Sequence, residues 1–200
     1  MIWLFLSSDK KQFEEYKNIL GKNSPKTLKE FQEIKYNNIK EWSLLKEKAS
    51  INRKKQLHAI NKYISSESYK INDKLRNNLP LNDDKEFIND LDKALDRMPI
   101  FKGDLRRSLE FYYEEDLEKF LSEHEIGEKV TYKEYLSTTK GNTYNSDGQV
   151  QIYILNSQKG RDISKYNDGE QEILYPRGSK FKVLEVEKIG NVTHIELKEL

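Results

Sequence analysis

Two carboxylates, Glu170 and Glu172, stand two residues apart where a polar loop runs into the β-rich segment Glu172-Ile-Leu-Tyr175. In an extended chain, side chains at i and i+2 point to the same face, so both can enter one cleft. Paired carboxylates suit a reaction in which one stabilises a developing cation while the other removes a proton. Spacing alone leaves the plainer alternative open: two solvated acids on a strand edge, in a chain that is 34% charged. Two more segments flank predicted strands. Ser137-Thr138-Thr139 closes one strand and leads into a loop, and the basic run Lys102-Gly103-Asp104-Leu105-Arg106-Arg107 follows another. Taken singly, they read better as an ordinary strand of small β-formers and a solvated basic patch.

Composition removes several rival chemistries. The chain has no cysteine, which excludes disulfides, thiol nucleophiles and cysteine-ligated zinc. His58, His124 and His194 are scattered and show no metal-ligand spacing, so no metal is expected. Lys and Arg total 35 against 34 Asp and Glu, a net charge of +1, so no excess basic charge draws the chain to nucleic acid or an anionic membrane. The opening Met1-Ile-Trp-Leu-Phe-Leu lacks a basic n-region and a cleavage site, and is far too short to span a bilayer. It reads as a buried first strand or helix turn, and export would need a non-classical route.

The elements that must position these groups change character at Pro99. Upstream, helical spacing predicts helices over Lys10–Leu20 (with Asp9 as N-cap), after Pro25-Lys26-Thr27, over Ile39–Ala49, Leu57–Ile64, Ser68–Leu79 and Asp83–Leu95. Downstream, strands are predicted near Ile100–Lys102, Lys129–Thr131, Tyr135–Thr139, Val150–Leu155, Glu172–Tyr175, Lys180–Glu187 and Val192–Leu197, with one helix at Glu114–Leu121. Helices first and strands later, without βαβ alternation, indicate an α+β fold. Two long polar loops, Lys140–Gly148 and Gly160–Gly169, have the length of functional loops.

In combination and order, these segments resemble the mono-ADP-ribosyltransferase toxins of the arginine–serine–glutamate class. Tyr135-Leu-Ser-Thr-Thr-Lys140 is similar to that family's aromatic-x-Ser-Thr-Ser strand. Asp168-Gly-Glu-Gln-Glu172 and the residues to Val183 resemble its glutamate strand and following hairpin. Tyr63-Ile-Ser-Ser-Glu-Ser-Tyr-Lys-Ile-Asn-Asp-Lys-Leu-Arg76 looks like the family's helical entry. The likeness runs from Leu57 to Leu200 and implies a helical N-terminal extension, residues 1–55, before a catalytic domain, residues 56–200. That domain would be a split, mixed β-sandwich holding NAD⁺ as co-substrate, with no metal. Glu172 would hydrogen-bond the nicotinamide-ribose 2′-hydroxyl, and Ser137 would hold that carboxylate in place. Glu170 would assist deprotonation of an incoming guanidinium, whose free pKa lies above about 12. Within the family, Glu-x-Glu accompanies arginine acceptors. Gly103, Thr138 and Thr139 would border the cofactor. Tyr166 lies where members place a target-contacting ring, though a loop aromatic packing on the body is an equal alternative. The chain departs from the family's aromatic-Arg-Gly motif, since Phe101-Lys102-Gly103 carries lysine there. Lysine keeps the charge and loses the bidentate fork, so the anchor is either Lys102 or Arg106.

The implied activity is NAD-dependent modification of an exposed arginine on a target protein by a bacterial toxin or effector, with an immunity or inhibitor protein as a further partner class. Lys26-Thr-Leu-Lys-Glu-Phe-Gln-Glu-Ile-Lys-Tyr-Asn37, followed by Glu41-Trp42, is similar to a segment of phage minor head proteins. That points to a prophage-borne or virion-associated protein acting in a cell cytoplasm. The competing expectations are a non-catalytic, phage head-associated binding module with the same fold, and an NAD⁺ glycohydrolase.

Overall fold

The computed structural model of the chain describes residues 2–141, 147–167 and 169–200, so residues 142–146 of the first polar loop and Asp168 of the second lie outside the described residues. The chain divides into two compact units, one of Met1–Tyr63 with Lys85–Arg97, the other of Ile64–Asp84 with Met98–Leu200.

The first unit is helical: α1 (Ile2–Leu20), α2 (Leu28–Asn37), α3 (Ile39–Lys62) and most of α5 (Asp84–Asp96). Phe13, Tyr16, Ile19, Phe31, Ile34, Leu45 and Ala49 form its core, with Trp42 stacked on Tyr16 at 5.4 Å. Two expectations are corrected here. Asp9 does not cap α1, which starts at Ile2. Its buried carboxylate instead accepts from Lys35 (2.7 Å), Tyr36 (2.9 Å) and Gln32 (3.0 Å) of α2. The two helices expected over Ile39–Ala49 and Leu57–Ile64 are one helix of 24 residues, capped by Asn38, whose side chain accepts from Glu41 N at 3.1 Å. The intervening Asn52-Arg-Lys-Lys55 breaks the apolar pattern but contains no glycine or proline, and its straight-chain residues favour helix.

A π-helical turn, Tyr63–Glu67, with Ser65 extended, precedes α4 (Ser68–Arg76) in the second unit. Strands β1 (Gly103–Leu109), β2 (Lys129–Tyr132), β3 (Leu136–Thr139), β4 (Val150–Ser157), β5 (Arg161–Asp162), β6 (Glu172–Tyr175), β7 (Ser179–Ile189) and β8 (Val192–Glu199) follow, with α6 (Glu114–Ser122) after β1. They form an eight-stranded mixed sheet in the order β2-β7-β8-β4-β1-β3-β6-β5, with β4–β8 parallel and the other pairs antiparallel. β1 and β3 share one register pair, Arg106 with Thr139, so the sheet nearly parts there. Inward side chains from both sides of the parting, Leu105, Ile152, Ile154, Ile195 and Leu197 on one and Leu136, Ile173 and Tyr175 on the other, pack into one core. The architecture is the expected α+β.

The strand expected at Ile100–Lys102 is displaced. Ile100 makes an isolated bridge to Arg161, and β1 begins at Gly103, so Arg106 and Arg107 lie inside the strand rather than after it and Lys102 just precedes it. Consecutive Arg106 and Arg107 erase the alternation that marks a strand, and they are tolerated because β1 borders the parting. Among the described residues no helix is long and apolar enough to cross a membrane.

Close backbone approach makes one glycine sensitive. A Cβ on Gly148 would sit 2.4 Å from the Leu109 carbonyl oxygen and from Ser108 Oγ, whereas one on Gly169 would meet nothing within 4 Å. Gly148→Ala is therefore expected to cost about 2–3 kcal/mol by overpacking. That lowers Tm by roughly 5–10 °C, with Gly169→Ala close to wild type. Thermal melts of the two variants make the comparison, and equal Tm values would contradict it.

Candidate active site

The antiparallel pairing of β3 with β6 sets Thr139 opposite Glu172 and Ser137 opposite Leu174. Ser137, Thr139, Glu172 and Leu174 thus share a face, and Ser137 Oγ donates to Glu172 Oε1 at 2.7 Å. Glu172 is only 4% exposed. Burial pushes its carboxyl above the usual range and the nearby charge of Glu170 adds to the rise. Hydrogen bonds from Ser137 and Asn167 and the charge of Arg107 oppose it.

The two glutamates converge by a route other than a continuous pleat. Gln171 is left-handed (φ +47°), so Glu170 stands in a turn and only Glu172 belongs to the strand. Thr139 fixes that turn, its hydroxyl donating to the Glu170 carbonyl at 2.7 Å and accepting from Gly141 N at 3.0 Å. Asn167 then joins the two carboxylates. Its Nδ2 donates to Glu170 Oε2 at 3.1 Å and to Glu172 Oε2 at 3.3 Å. Asn167 was not singled out from the sequence, because nothing in the spacing of a polar loop marks one amide as reaching both acids.

The basic groups separate clearly. Arg107 Nη1 donates to the Ser137 carbonyl at 2.6 Å across the parting, and its Nε is buried without a hydrogen-bond partner among the described residues. Sequence reasoning missed Arg107 as a site residue. Arg106 pairs with Thr139 across the parting and stands 6.0 Å above the Tyr153 ring. Arg106 and Arg107 both line a cleft of about 1530 Å³, together with Arg76, Phe120, Ser137, Thr138, Thr139 and Glu170. Lys102 is exposed and precedes β1, Gly103 opens that strand opposite Ser157, and neither lines the cleft. Thr138 is buried, its hydroxyl donating to the Ile173 carbonyl at 2.7 Å. Tyr166 ends a 3₁₀ turn, Ser164–Tyr166, half-buried, with Lys165 Nζ 4.7 Å from its ring centre.

The second loop is braced rather than free. Lys140, directly after β3, donates to Asp162 Oδ2 (2.8 Å) and Ser164 Oγ (3.0 Å), and β5 pairs with β6. On the cleft's other wall, Arg76 Nε donates to Glu134 at 2.8 Å and Asn72 Oδ1 accepts from Tyr135 N at 3.2 Å. These contacts explain why α4 carries its Ile-Asn-x-x-Leu-Arg pattern: it is tied to the segment that enters β3. Among the described residues no group of three or more His, Asp or Glu side chains is placed to hold a metal ion. Glu172 lies behind the cleft lining, which Glu170 and Arg107 reach. A buried carboxylate held by a hydroxyl and an amide, beside a second acid and Arg107, can stabilise a cation while a neighbour accepts a proton.

Comparison with known proteins agrees with this geometry. Among solved structures, the SpvB ATR domain of Salmonella superposes with TM-score 0.60 at 20% identity, covering 73% of this chain and 98% of that one. The C3 exoenzyme of Clostridium limosum gives 0.58 at 18% identity, covering 73% and 85%. These likenesses establish the fold. In sequence, the chain is 30% identical over 149 residues to the NAD(+)–protein-arginine ADP-ribosyltransferase Tre1 of Serratia proteamaculans, covering 72% of this chain. Identity to the Tre1 of Pseudomonas putida is 29% over 149 residues, again 72% of this chain. The chain spans about a third of the length of these relatives, 32% and 29% respectively. Residues 9–200 match the sequence profile of the ADP-ribosyltransferase exoenzymes, and the chain belongs to that family.

Proposed function

We propose that this protein transfers ADP-ribose from NAD⁺ to an arginine side chain of another protein, as a bacterial toxin or effector. The observation that carries the reading is the buried Glu172, held by Ser137 at 2.7 Å with a second carboxylate, Glu170, tied beside it. Glu172 accepts from the nicotinamide-ribose hydroxyl and stabilises the oxocarbenium-like state as nicotinamide leaves. Glu170 takes the proton that the guanidinium must lose, a group that attack by water does not require. Its presence favours arginine transfer over simple NAD⁺ hydrolysis. Tyr166 is assigned to the acceptor side of the same loop. Thr138 and Thr139, whose hydroxyls bind the Ile173 and Glu170 carbonyls, border the cofactor while fixing both acids. The catalytic part is residues 56–200, with residues 1–55 as a helical extension. An immunity or inhibitor protein closing this cleft fits a toxin, and action in a cell cytoplasm fits an NAD⁺ requirement. Incubating the protein with lysate and labelled NAD⁺ and mapping modified residues by mass spectrometry tests the reading. Label on arginine supports it. Release of nicotinamide without labelled protein would favour the glycohydrolase, and neither product would favour a non-catalytic binding module.

For the cofactor's diphosphate we assign Arg106 in preference to Lys102. Arg106 lines the cleft and offers a bidentate fork, while Arg107 fastens β1 to β3. A charge-assisted contact contributes about 1.5–3 kcal/mol, so Arg106→Ala should weaken NAD⁺ binding about ten- to hundredfold. Lys102→Ala should change it by less than about threefold, well under one such contact. Isothermal titration in a Glu172→Gln background reads both without turnover. A reversed order would return the anchor to Lys102.

A further inference from the structure

Glu170 and Glu172 confront the molecule with a like-charge problem. Two carboxylates held by one amide repel, and close like charges favour a proton on one of them. Such a pair would be half disabled, because the proposed reaction needs Glu172 as an anion and Glu170 as a proton acceptor. Arg107 supplies one positive charge near Glu172, and it is already committed to the Ser137 carbonyl.

We propose that Asn167 is a positioning residue whose single side-chain amide clamps both acids and lets them be ionised together. The amide carries two hydrogens, and the 3.1 and 3.3 Å contacts direct Nδ2 to one oxygen of each carboxylate. The partners decide the amide's orientation, since the flipped group would set its carbonyl oxygen against two anions. The clamp leaves the reaction its acceptors. Glu172 receives Ser137 on Oε1 and Asn167 on Oε2, and each oxygen keeps a second lone pair for a ribose hydroxyl.

Backbone hydrogen bonds on both sides of its peptide hold Asn167 in this place. Asn167 N donates to the Ser164 carbonyl at 3.1 Å, and the Asn167 carbonyl accepts from Glu170 N at 3.2 Å. The same loop is fastened to the end of β3 through Lys140, Asp162 and Ser164. The charged groups that act on Glu172 are Glu170 from the turn and Arg107 from β1, while Ser137 of β3 and Asn167 face it as neutral donors. Removing the amide therefore leaves only the Ser137 hydroxyl and Arg107 to favour the Glu172 anion, and nothing that bridges it to Glu170.

The inference rests on the proposed transferase reading for its chemistry, and its geometric content is testable without turnover. Carbon-13 NMR of glutamate-labelled protein follows the carboxyl titrations in the absence of NAD⁺. In parallel, the acid limb of NAD⁺ hydrolysis is recorded against pH. Asn167→Ala should move the Glu172 titration and the acid limb to higher pH by about one unit, the loss of one hydrogen bond to a charged group. Asn167→Ser, which keeps one donor, should fall between Ala and wild type. Asn167→Asp, near-isosteric but with a third carboxylate, should shift furthest. The series also guards against a single variant that fails to fold. Titrations and acid limbs that coincide across all four proteins would overturn the clamp. A wild-type protein that does not turn over NAD⁺ would instead overturn the transferase reading, leaving the NMR comparison valid.

Discussion

Glu172→Gln is expected to lower both arginine modification and NAD⁺ hydrolysis by two to three decades while Tm stays at or above the wild-type value. Loss of one well-placed electrostatic group costs roughly 3–4 kcal/mol of transition-state stabilisation, which sets the size of the effect. The thermal half follows from burial. Desolvation raises the Glu172 carboxyl above its value in the unfolded chain, so the folded state binds this proton more tightly. Its favourable contribution is complete below the ordinary glutamate range and is lost as pH rises through the raised value. At neutral pH the buried anion is therefore a cost to folding, and glutamine removes it. The same displacement predicts that wild-type activity fails on acidification at a higher pH than an ordinary carboxylate would impose. Calorimetry and nicotinamide release measure the two halves. A variant that loses activity only together with its Tm would assign Glu172 to the fold rather than to the chemistry.

The second large effect separates the two acids. Glu170→Gln should reduce arginine modification by two or more decades, the usual contribution of a positioned general base. Nicotinamide release into water should stay within about tenfold of wild type, because water needs far less help than a guanidinium. The prediction depends on Glu170 standing exposed in the Gln171 turn at the cleft lining, while Glu172 is buried at the strand start. Measuring both products from one reaction gives the ratio directly. If the two activities fall together, Glu170 serves NAD⁺ and not the acceptor.

Much of this site was legible in the residues themselves. Ser137 and Glu172 were paired through their motifs, and the antiparallel register of β3 on β6 brings them to 2.7 Å. The strand over Glu172–Tyr175 follows from a short apolar run and the last hairpin from apolar alternation, bounded by Pro176-Arg177-Gly178 and Gly190-Asn191, signals that are local and therefore visible. The helix-then-strand order was visible for the same reason.

What stayed hidden depends on contacts between residues far apart in the chain or on local geometry that overrides pattern. β1 did not read as a strand because two adjacent arginines mask its period, and only the parting of β1 from β3 makes room for them. That displacement leaves Lys102 outside the strand and Arg106 within it, the two candidates the sequence offered, and brings in Arg107, whose partner carbonyl lies 30 residues away. The convergence of Glu170 and Glu172 looked like a property of spacing, yet a left-handed Gln171 breaks the pleat between them. Thr139 and Asn167 restore the convergence. Sequence alone pointed to Ser137, Glu170 and Glu172 as candidates for the chemistry, because residue type and motif order carry that information, and left Asn167 and Arg107 unmarked. Tertiary structure decided which of them meet and in what charge environment, because burial, strand parting and the placement of one amide are set by the packed chain as a whole.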